Sequence, residues 1–187
     1  MLAGCLGSGE DDENDSPINL VVYYDVTSGV IEETIQNNQQ VSEDGVDVVF
    51  DYSYTKSTAG DISNFLFNPG DGSTTISVNS ADTGEITYTY LTHGMFSASI
   101  GAIDDQGNEV FENVTIRIDK QITWGETQTT DPRTMDIEAT PDCECPLPQQ
   151  IQIDSTVTNR DNFGGIGGSP VTVTWYLNNT EGSAAES

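Results

Sequence analysis

The stretch that decides the fold is VDVVFDYSY, residues 46–54, in which large apolar side chains alternate with polar ones. A period of two places alternate side chains on one face, so the pattern predicts a half-buried β-strand. The alternating apolar positions are Val46, Val48, Phe50, Tyr52 and Tyr54; Leu20, Val22 and Tyr24; Ile86, Tyr88 and Tyr90; Phe96, Ala98, Ile100 and Ala102; and Val114, Ile116 and Ile118. The best helix candidate, IEETIQNNQQ (residues 31–40), is rich in β-branched residues and Asn and is predicted as strand or loop. Short strands separated by Gly, Asn and Asp turns predict an all-β antiparallel sandwich.

The charge of the chain limits its partners. The 187 residues include 5 Lys+Arg and 31 Asp+Glu, for a formal net charge of -26. Such a surface repels phosphate backbones, so nucleic-acid binding is not expected. Lysine is almost absent, with Lys56 and Lys120 alone. We interpret this balance as adaptation to a halophilic or marine setting; the alternative is an ordinary solvated acidic surface.

The residue composition changes near Lys120, and this change predicts the domain organisation. A polar connector is followed by three more alternating runs, at Met135, Ile137 and Ala139; Ile151, Ile153 and Val157; and Val171, Val173, Trp175 and Leu177. We therefore expect a first sandwich over 18–119, a linker over 120–134 and a partial second β domain over 135–187, because a sandwich takes about 100 residues. The alternative is that these strands extend the sheets of the first domain.

Residues 46–119 resemble the PKD (polycystic-kidney-disease) domain, an immunoglobulin-like β-sandwich of extracellular proteins. The matching elements, in order, are VVFDYS at Val48–Ser53, the set Ile62, Phe65 and Phe67, GDGS at Gly70–Ser73, YLTHGMF at Tyr90–Phe96, and DQG at Asp105–Gly107. Phe67 replaces the family's Trp, and Asn68-Pro69 replaces its Asp-Phe. The resemblance implies an immunoglobulin-like fold whose signature is structural, with no catalytic group. Residues 155–179 more weakly resemble CARDB-like adhesion modules, which are also sandwiches.

Few residues suggest chemistry, and no catalytic or cofactor-binding motif is present. Asp104 and Asp105, in a Gly-containing loop, are either Ca²⁺ ligands or an ordinary acidic turn. Cys143 and Cys145 are too few for zinc and suggest a disulfide, either as a strained ring with each other or with another cysteine. Asn-x-Ser/Thr triplets make Asn113 and Asn178 candidates for N-glycosylation, as they do Asn14.

The first residues, MLAGCLGSGEDDENDSP, can be a frayed end or a processing site. LAGC resembles the lipobox of prokaryotic lipoproteins, which implies lipidation of Cys5 as the mature N-terminus. Residues 1–6 would then be a lipobox remnant of a signal peptide. Residues 7–17 carry a block of like charge and are predicted to be a flexible acidic tether.

Together these features predict a non-enzymatic surface lipoprotein of a prokaryote, specifically an archaeon, without a cofactor. It would be extracellular, attached to the membrane through lipid on Cys5, and would bind a protein or glycan ligand in adhesion. The alternatives are an accessory module of a larger secreted hydrolase and a structural subunit of a surface layer or filament.

Overall fold

The computed structural model describes residues 16–127, 137, 140, 146 and 150–156, and the backbone of two short strands at 177–178 and 184–185. The chain divides into two compact units, Met1–Gln149 and Gln150–Ser187. The described residues contain thirteen strands and no helix, so the protein is all-β as predicted. Within them there is consequently no helix that could cross a membrane.

Eleven strands belong to the first unit. They are β1 (Ile18–Asn19), β2 (Tyr23–Tyr24), β3 (Ser28–Gln36), β4 (Gln39–Asp44), β5 (Val46–Asp51), β6 (Lys56–Ser57), β7 (Ile62–Asn68), β8 (Ile76–Asn79), β9 (Glu85–Tyr90), β10 (Gly94–Asp104) and β11 (Glu109–Gly125). A six-stranded sheet has the order β4-β3-β11-β10-β7-β8, a three-stranded sheet the order β2-β5-β9, and β1 pairs with β6.

The core lies between the six- and three-stranded sheets and is rich in aromatic rings. Phe50 of β5 contacts Phe67 of β7 with ring centroids 4.7 Å apart, and Tyr90 of β9 stacks on Phe96 of β10 at 4.7 Å. All four of these side chains have no exposed surface. The buried residues of the alternating runs in β5, β9, β10 and β11 are Val48, Phe50, Ile86, Tyr90, Phe96, Ala98, Ile100, Ala102, Val114, Ile116 and Ile118, which confirms those predictions.

The prediction that Tyr54 faces the core is wrong. Its side chain is 61% exposed, because β5 ends at Asp51 and the chain turns there. The Asp51 carboxylate accepts a hydrogen bond from the Ser53 backbone N–H at 2.8 Å, and the Thr55 N–H donates to the Tyr52 carbonyl at 2.8 Å. The Tyr54 ring therefore leaves the core and contacts Tyr23 edge-on, with centroids 5.3 Å apart.

Residues 31–40, predicted as strand or loop, lie in a β-hairpin formed by β3 and β4. Asn37 and Asn38 form its turn with φ values of 49° and 62°, the left-handed conformation that Asn tolerates. β3 also pairs in parallel with β11, from Ser28↔Arg117 to Gln36↔Gly125. The sheet is thus mixed, a difference from the antiparallel prediction, and β11 runs past residue 119, the predicted domain end.

One lysine ties these three strands together. Glu33 and Glu43 lie directly opposite each other on β3 and β4, and the Lys120 Nζ is 2.8 Å from the Glu33 carboxylate and 3.1 Å from that of Glu43. The hydrogen bond from Lys120 lowers the pKa of Glu43. Partial burial acts to lower the pKa of Lys120, but the two carboxylates outweigh it and raise that pKa.

The second unit is described only in part. Residues 151–156 form no strand, and Ile151 and Ile153 are each 55% exposed, so the alternating run predicted there is not a strand over these residues. Two short strands, β12 (Leu177–Asn178) and β13 (Ala184–Ala185), pair antiparallel. Met135, Ala139, Val157, Val171, Val173 and Trp175 lie outside the described residues.

Candidate functional site

The predicted modification sites are only partly described. Cys5, Cys143 and Cys145 lie outside the described residues, and for Asn178 the structure describes only the backbone, in β12. Asn113 lies on β11 opposite Ser99, and its side chain is exposed. Glycosylation there remains a prediction that the geometry permits.

The two calcium candidates differ sharply in environment. Asp104 is 2% exposed, and its carboxylate accepts hydrogen bonds from Ser57 Oγ at 2.7 Å and from the Asn108 side-chain amide at 2.8 Å. The backbone N–H groups of Gln106 and Asn108 also donate to it, at 3.0 and 2.8 Å. Burial acts to raise the pKa of Asp104, but these hydrogen bonds outweigh it and lower the pKa. The Asp104 carboxylate therefore stabilises its loop by accepting hydrogen bonds from groups of the protein itself, on Ser57, Gln106 and Asn108.

Asp105 is exposed, and its Oδ1 accepts a hydrogen bond from the Gln106 side-chain amide at 3.0 Å. Among the described residues, no three His, Cys, Asp or Glu side chains are grouped so that they could hold a metal ion. The geometry therefore assigns Asp104 to stabilising the loop, and calcium binding by this pair has no supporting contact in the described chain.

A different feature, the turn at Gly70–Ser73, forms one wall of a cleft. Gly70 has φ +74°, and a Cβ added there would lie 2.4 Å from the Ser97 carbonyl oxygen, so only glycine fits. The Tyr90 hydroxyl donates to the Pro69 carbonyl at 2.8 Å and fastens the turn to the core. The Asp71 carboxylate accepts a hydrogen bond from the Ser73 N–H at 2.9 Å.

Asp71 also pairs with a tyrosine on the neighbouring strand. The Tyr88 hydroxyl donates to Asp71 Oδ2 at 2.5 Å and lies 3.1 Å from Ser73 Oγ. Partial burial acts to raise the pKa of Asp71, but the hydrogen bonds from Tyr88 and Ser73 outweigh it, so this pKa is lowered. Burial and the bond to Asp71 raise the pKa of Tyr88. At neutral pH the pair is therefore a carboxylate and a neutral phenol.

The cleft has a volume of about 240 Å³ and is lined by Asp71, Ser73, Tyr88, Thr89, Leu91 and Thr92. Leu91 is 68% exposed at its rim. The lining combines hydroxyl groups and a carboxylate with apolar surface, and it includes no His, Cys or Lys to act as a base or strong nucleophile. These groups can form hydrogen bonds and apolar contacts with a small polar ligand.

The sequence analysis placed Asp71 in the GDGS element and Tyr88 in an alternating run, but it did not identify the two as partners. The available signal was that Tyr88 is two residues from Tyr90 and so shares its face of β9. The Tyr88 ring contacts Tyr90 at 4.9 Å and Phe67 at 5.7 Å, which holds its hydroxyl at the end of the core.

Comparison with known proteins gives neighbours in fold only. No protein-family model matches this chain, and no curated protein gives a significant match. One similar solved structure comes from work on the promiscuous specificity of carbohydrate-binding modules of the β-sandwich superfamily. The match has 20% sequence identity and a TM-score of 0.44, and it covers 57% of this chain and 36% of that chain. This chain thus spans about a third of that structure's length.

Two others are PKD1 domains from Vibrio. The domain from the Vibrio cholerae metalloprotease PrtV has 19% identity over 54% of this chain and 94% of its own, with a TM-score of 0.37. The domain from Vibrio anguillarum Epp has 16% identity over 55% of this chain and 99% of its own, with a TM-score of 0.33. The assignment of this chain to the all-β sandwich class rests on its own strands, sheets and core.

Proposed function

We propose that this chain is a non-enzymatic extracellular module that binds a protein or carbohydrate ligand and is held at the cell surface by lipid on Cys5. The observation that carries the binding role is the cleft between the Gly70–Ser73 turn and β9. Its polar atoms are fixed by the protein before any ligand arrives, because Asp71 sits in a tight turn and Tyr88 on a strand.

The chemistry of the cleft favours carbohydrate over other ligands. A sugar presents hydroxyl groups that can donate to the Asp71 carboxylate and accept from Ser73 and the threonine hydroxyls. Its C–H faces can cover the exposed Leu91 and the edge of the Tyr88 ring. An anionic ligand is disfavoured, because Asp71 is ionised and the chain carries a net charge of -26.

The test is a screen of neutral and anionic glycans with the full chain, followed by titration calorimetry of any hit. Asp71→Asn keeps the shape and removes the charge, and Leu91→Ala opens the rim; we expect each to weaken binding about tenfold. Asp25→Asn is the matched control, since it removes the same charge from an exposed residue outside the cleft lining. Binding that is unchanged by both cleft variants would show that the ligand sits elsewhere.

The attachment and processing proposals are tested by mass. Intact mass of the native protein should show a lipid on Cys5, and Cys5→Ser should release the protein from membranes.

Peptide mapping should find glycan on Asn113 or Asn178 and a disulfide at Cys143 or Cys145. Limited proteolysis between residues 126 and 134 should separate the sandwich, whose last strand ends at Gly125, from the proposed 135–187 β domain. An unfolding midpoint that rises with salt would support the halophilic assignment.

A further inference from the structure

β11 is paired on one side over a longer stretch than on the other. β10 covers one edge as far as Ile118, which lies opposite Gly94. β3 covers the other edge from Arg117 to Gly125. Residues 119–125, which we call the β11 extension, are therefore paired on the β3 side, and no strand in the described part of the chain pairs with their second edge. An open strand edge is a template for another strand.

Two backbone hydrogen bonds show which groups of β11 face β3 and, by difference, which face the other edge. The Arg117 N–H donates to the Thr27 carbonyl at 2.8 Å, and the Gly125 carbonyl accepts from the Asn37 N–H at 2.9 Å. Backbone groups of alternate residues point to the same edge of a strand, so odd-numbered residues serve the β3 side. The N–H and C=O groups of Lys120, Ile122 and Trp124 consequently point to the open edge.

Of the four outer strands of the two larger sheets, β2, β4 and β8 are less suited to strand addition. β4 is exposed throughout, carries Glu43 and Asp44, and its pairing with β3 shifts register between Thr34 and Ile35. β8 has four residues and β2 has two. Charges, irregular pairing and short length are the usual protections of an edge. By contrast, residues 120–124 (KQITW) contain no acidic side chain.

The β11 extension is complementary to itself, and we propose that two copies of this chain pair antiparallel along it. With Ile122 on the two-fold axis, Ile122 faces its own counterpart and Lys120 faces Trp124 of the second copy. Each of these facing pairs exchanges two backbone hydrogen bonds, and the Lys120 ammonium stays with Glu33 and Glu43 of its own chain. Asp119 faces Gly125, so no like charges are directly opposed.

The net charge sets the conditions under which this pairing is strong. Two molecules of charge -26 repel each other at low ionic strength. The Debye length falls from about 10 Å at 0.1 M salt to about 3 Å at 1 M, so salt removes most of the repulsion. The backbone hydrogen bonds and the Ile122 contact are not lost with it. Dimerisation should thus strengthen with salt, opposite to an interface held by ion pairs.

The test is sedimentation velocity of the full chain across protein concentrations at about 1 M salt. We expect the mass to rise from the 20.1 kDa monomer toward about twice that value. Ile122→Lys and Ile122→Glu each place like charges on the axis and should be monomeric. An equimolar mixture of the two should recover the dimer, because Lys then faces Glu. Thr87→Lys, an exposed position on β9, is the control and should dimerise like the wild type.

A second measurement uses a substitution that adds no charge. In the proposed register the two residues at position 122 form a hydrogen-bonded pair with Cα atoms about 5.5 Å apart, within the range of a disulfide. Ile122→Cys should therefore give a covalent dimer under mild oxidation at high salt, above the level given by Thr87→Cys. A wild type that stays monomeric at the highest concentration, Ile122→Lys that still dimerises, or equal cross-linking at 122 and 87 would each overturn the proposal.

Discussion

Tyr90→Phe tests the contact that joins the core to the cleft. The Tyr90 ring has no exposed surface, and its hydroxyl donates to the Pro69 carbonyl at 2.8 Å. Phenylalanine keeps the stacking on Phe96 but leaves that buried carbonyl without its donor. A buried acceptor that loses its partner costs about 1–3 kcal/mol. We expect the free energy of unfolding to fall by that amount, measured by urea denaturation with far-UV circular dichroism at fixed salt.

The matched control for Tyr90→Phe is Tyr54→Phe, which removes the same atom from a side chain that is 61% exposed. Its effect should lie within about 0.5 kcal/mol of zero. Tyr52→Phe should behave like Tyr90→Phe, because the buried Tyr52 hydroxyl donates to the Leu66 carbonyl at 2.8 Å. The reasoning would be refuted if Tyr90→Phe and Tyr54→Phe had equal effects.

Three further predictions concern charge, backbone strain and pH. Lys120→Gln leaves Glu33 and Glu43 facing each other without their cation. The free energy of unfolding in urea should fall by about 1 kcal/mol at low salt and by clearly less at high salt. An effect independent of salt would contradict the ion-pair account. Gly70→Ala should cost about 2–4 kcal/mol, but Gly72→Ala only about 1–2, because both have positive φ and only Gly70 approaches backbone atoms; equal costs would show that the close approach is unimportant. Burial raises the pKa of Tyr52 and Tyr90, so the unfolded tyrosines ionise first and stability should fall as pH rises above about 10, with a shallower fall in Tyr52→Phe.

The alternating runs that became β5, β9, β10 and β11 predicted strands and core well, because side-chain period depends only on local backbone geometry. Phe50, Tyr90 and Phe96 were placed inside for this reason, and they are fully buried. Tyr54 was misplaced because the same period continued past the end of β5. The Asp51 carboxylate that caps the turn at Ser53 was the available signal against it.

Pairing between distant strands could not be predicted in the same way. Periodicity shows which face of a strand is buried, but it does not identify the neighbouring strand. The parallel pairing of Ser28 with Arg117 joins residues 89 positions apart, since 117 less 28 is 89. The cleft depends on a similar encounter, between Asp71 in a turn and Tyr88 on β9. The sequence indicated a local role for each of these residues, but their contact arises only when the chain folds.

The parallel pairing of β3 and β11 also determines how the sandwich would bear mechanical load. Tension applied between an attachment before Ser28 and a load beyond Gly125 pulls β3 and β11 along their axes in opposite directions. Once the short pairings of β1 and β2 yield, the ladder from Ser28↔Arg117 to Gln36↔Gly125 is loaded in shear, and its hydrogen bonds resist together rather than opening one by one. Single-molecule pulling from the two ends should therefore meet a high rupture force, and unzipping at low force would exclude this clamp. In the surface-anchored protein proposed above, this clamp would keep the sandwich folded while a bound ligand is under load.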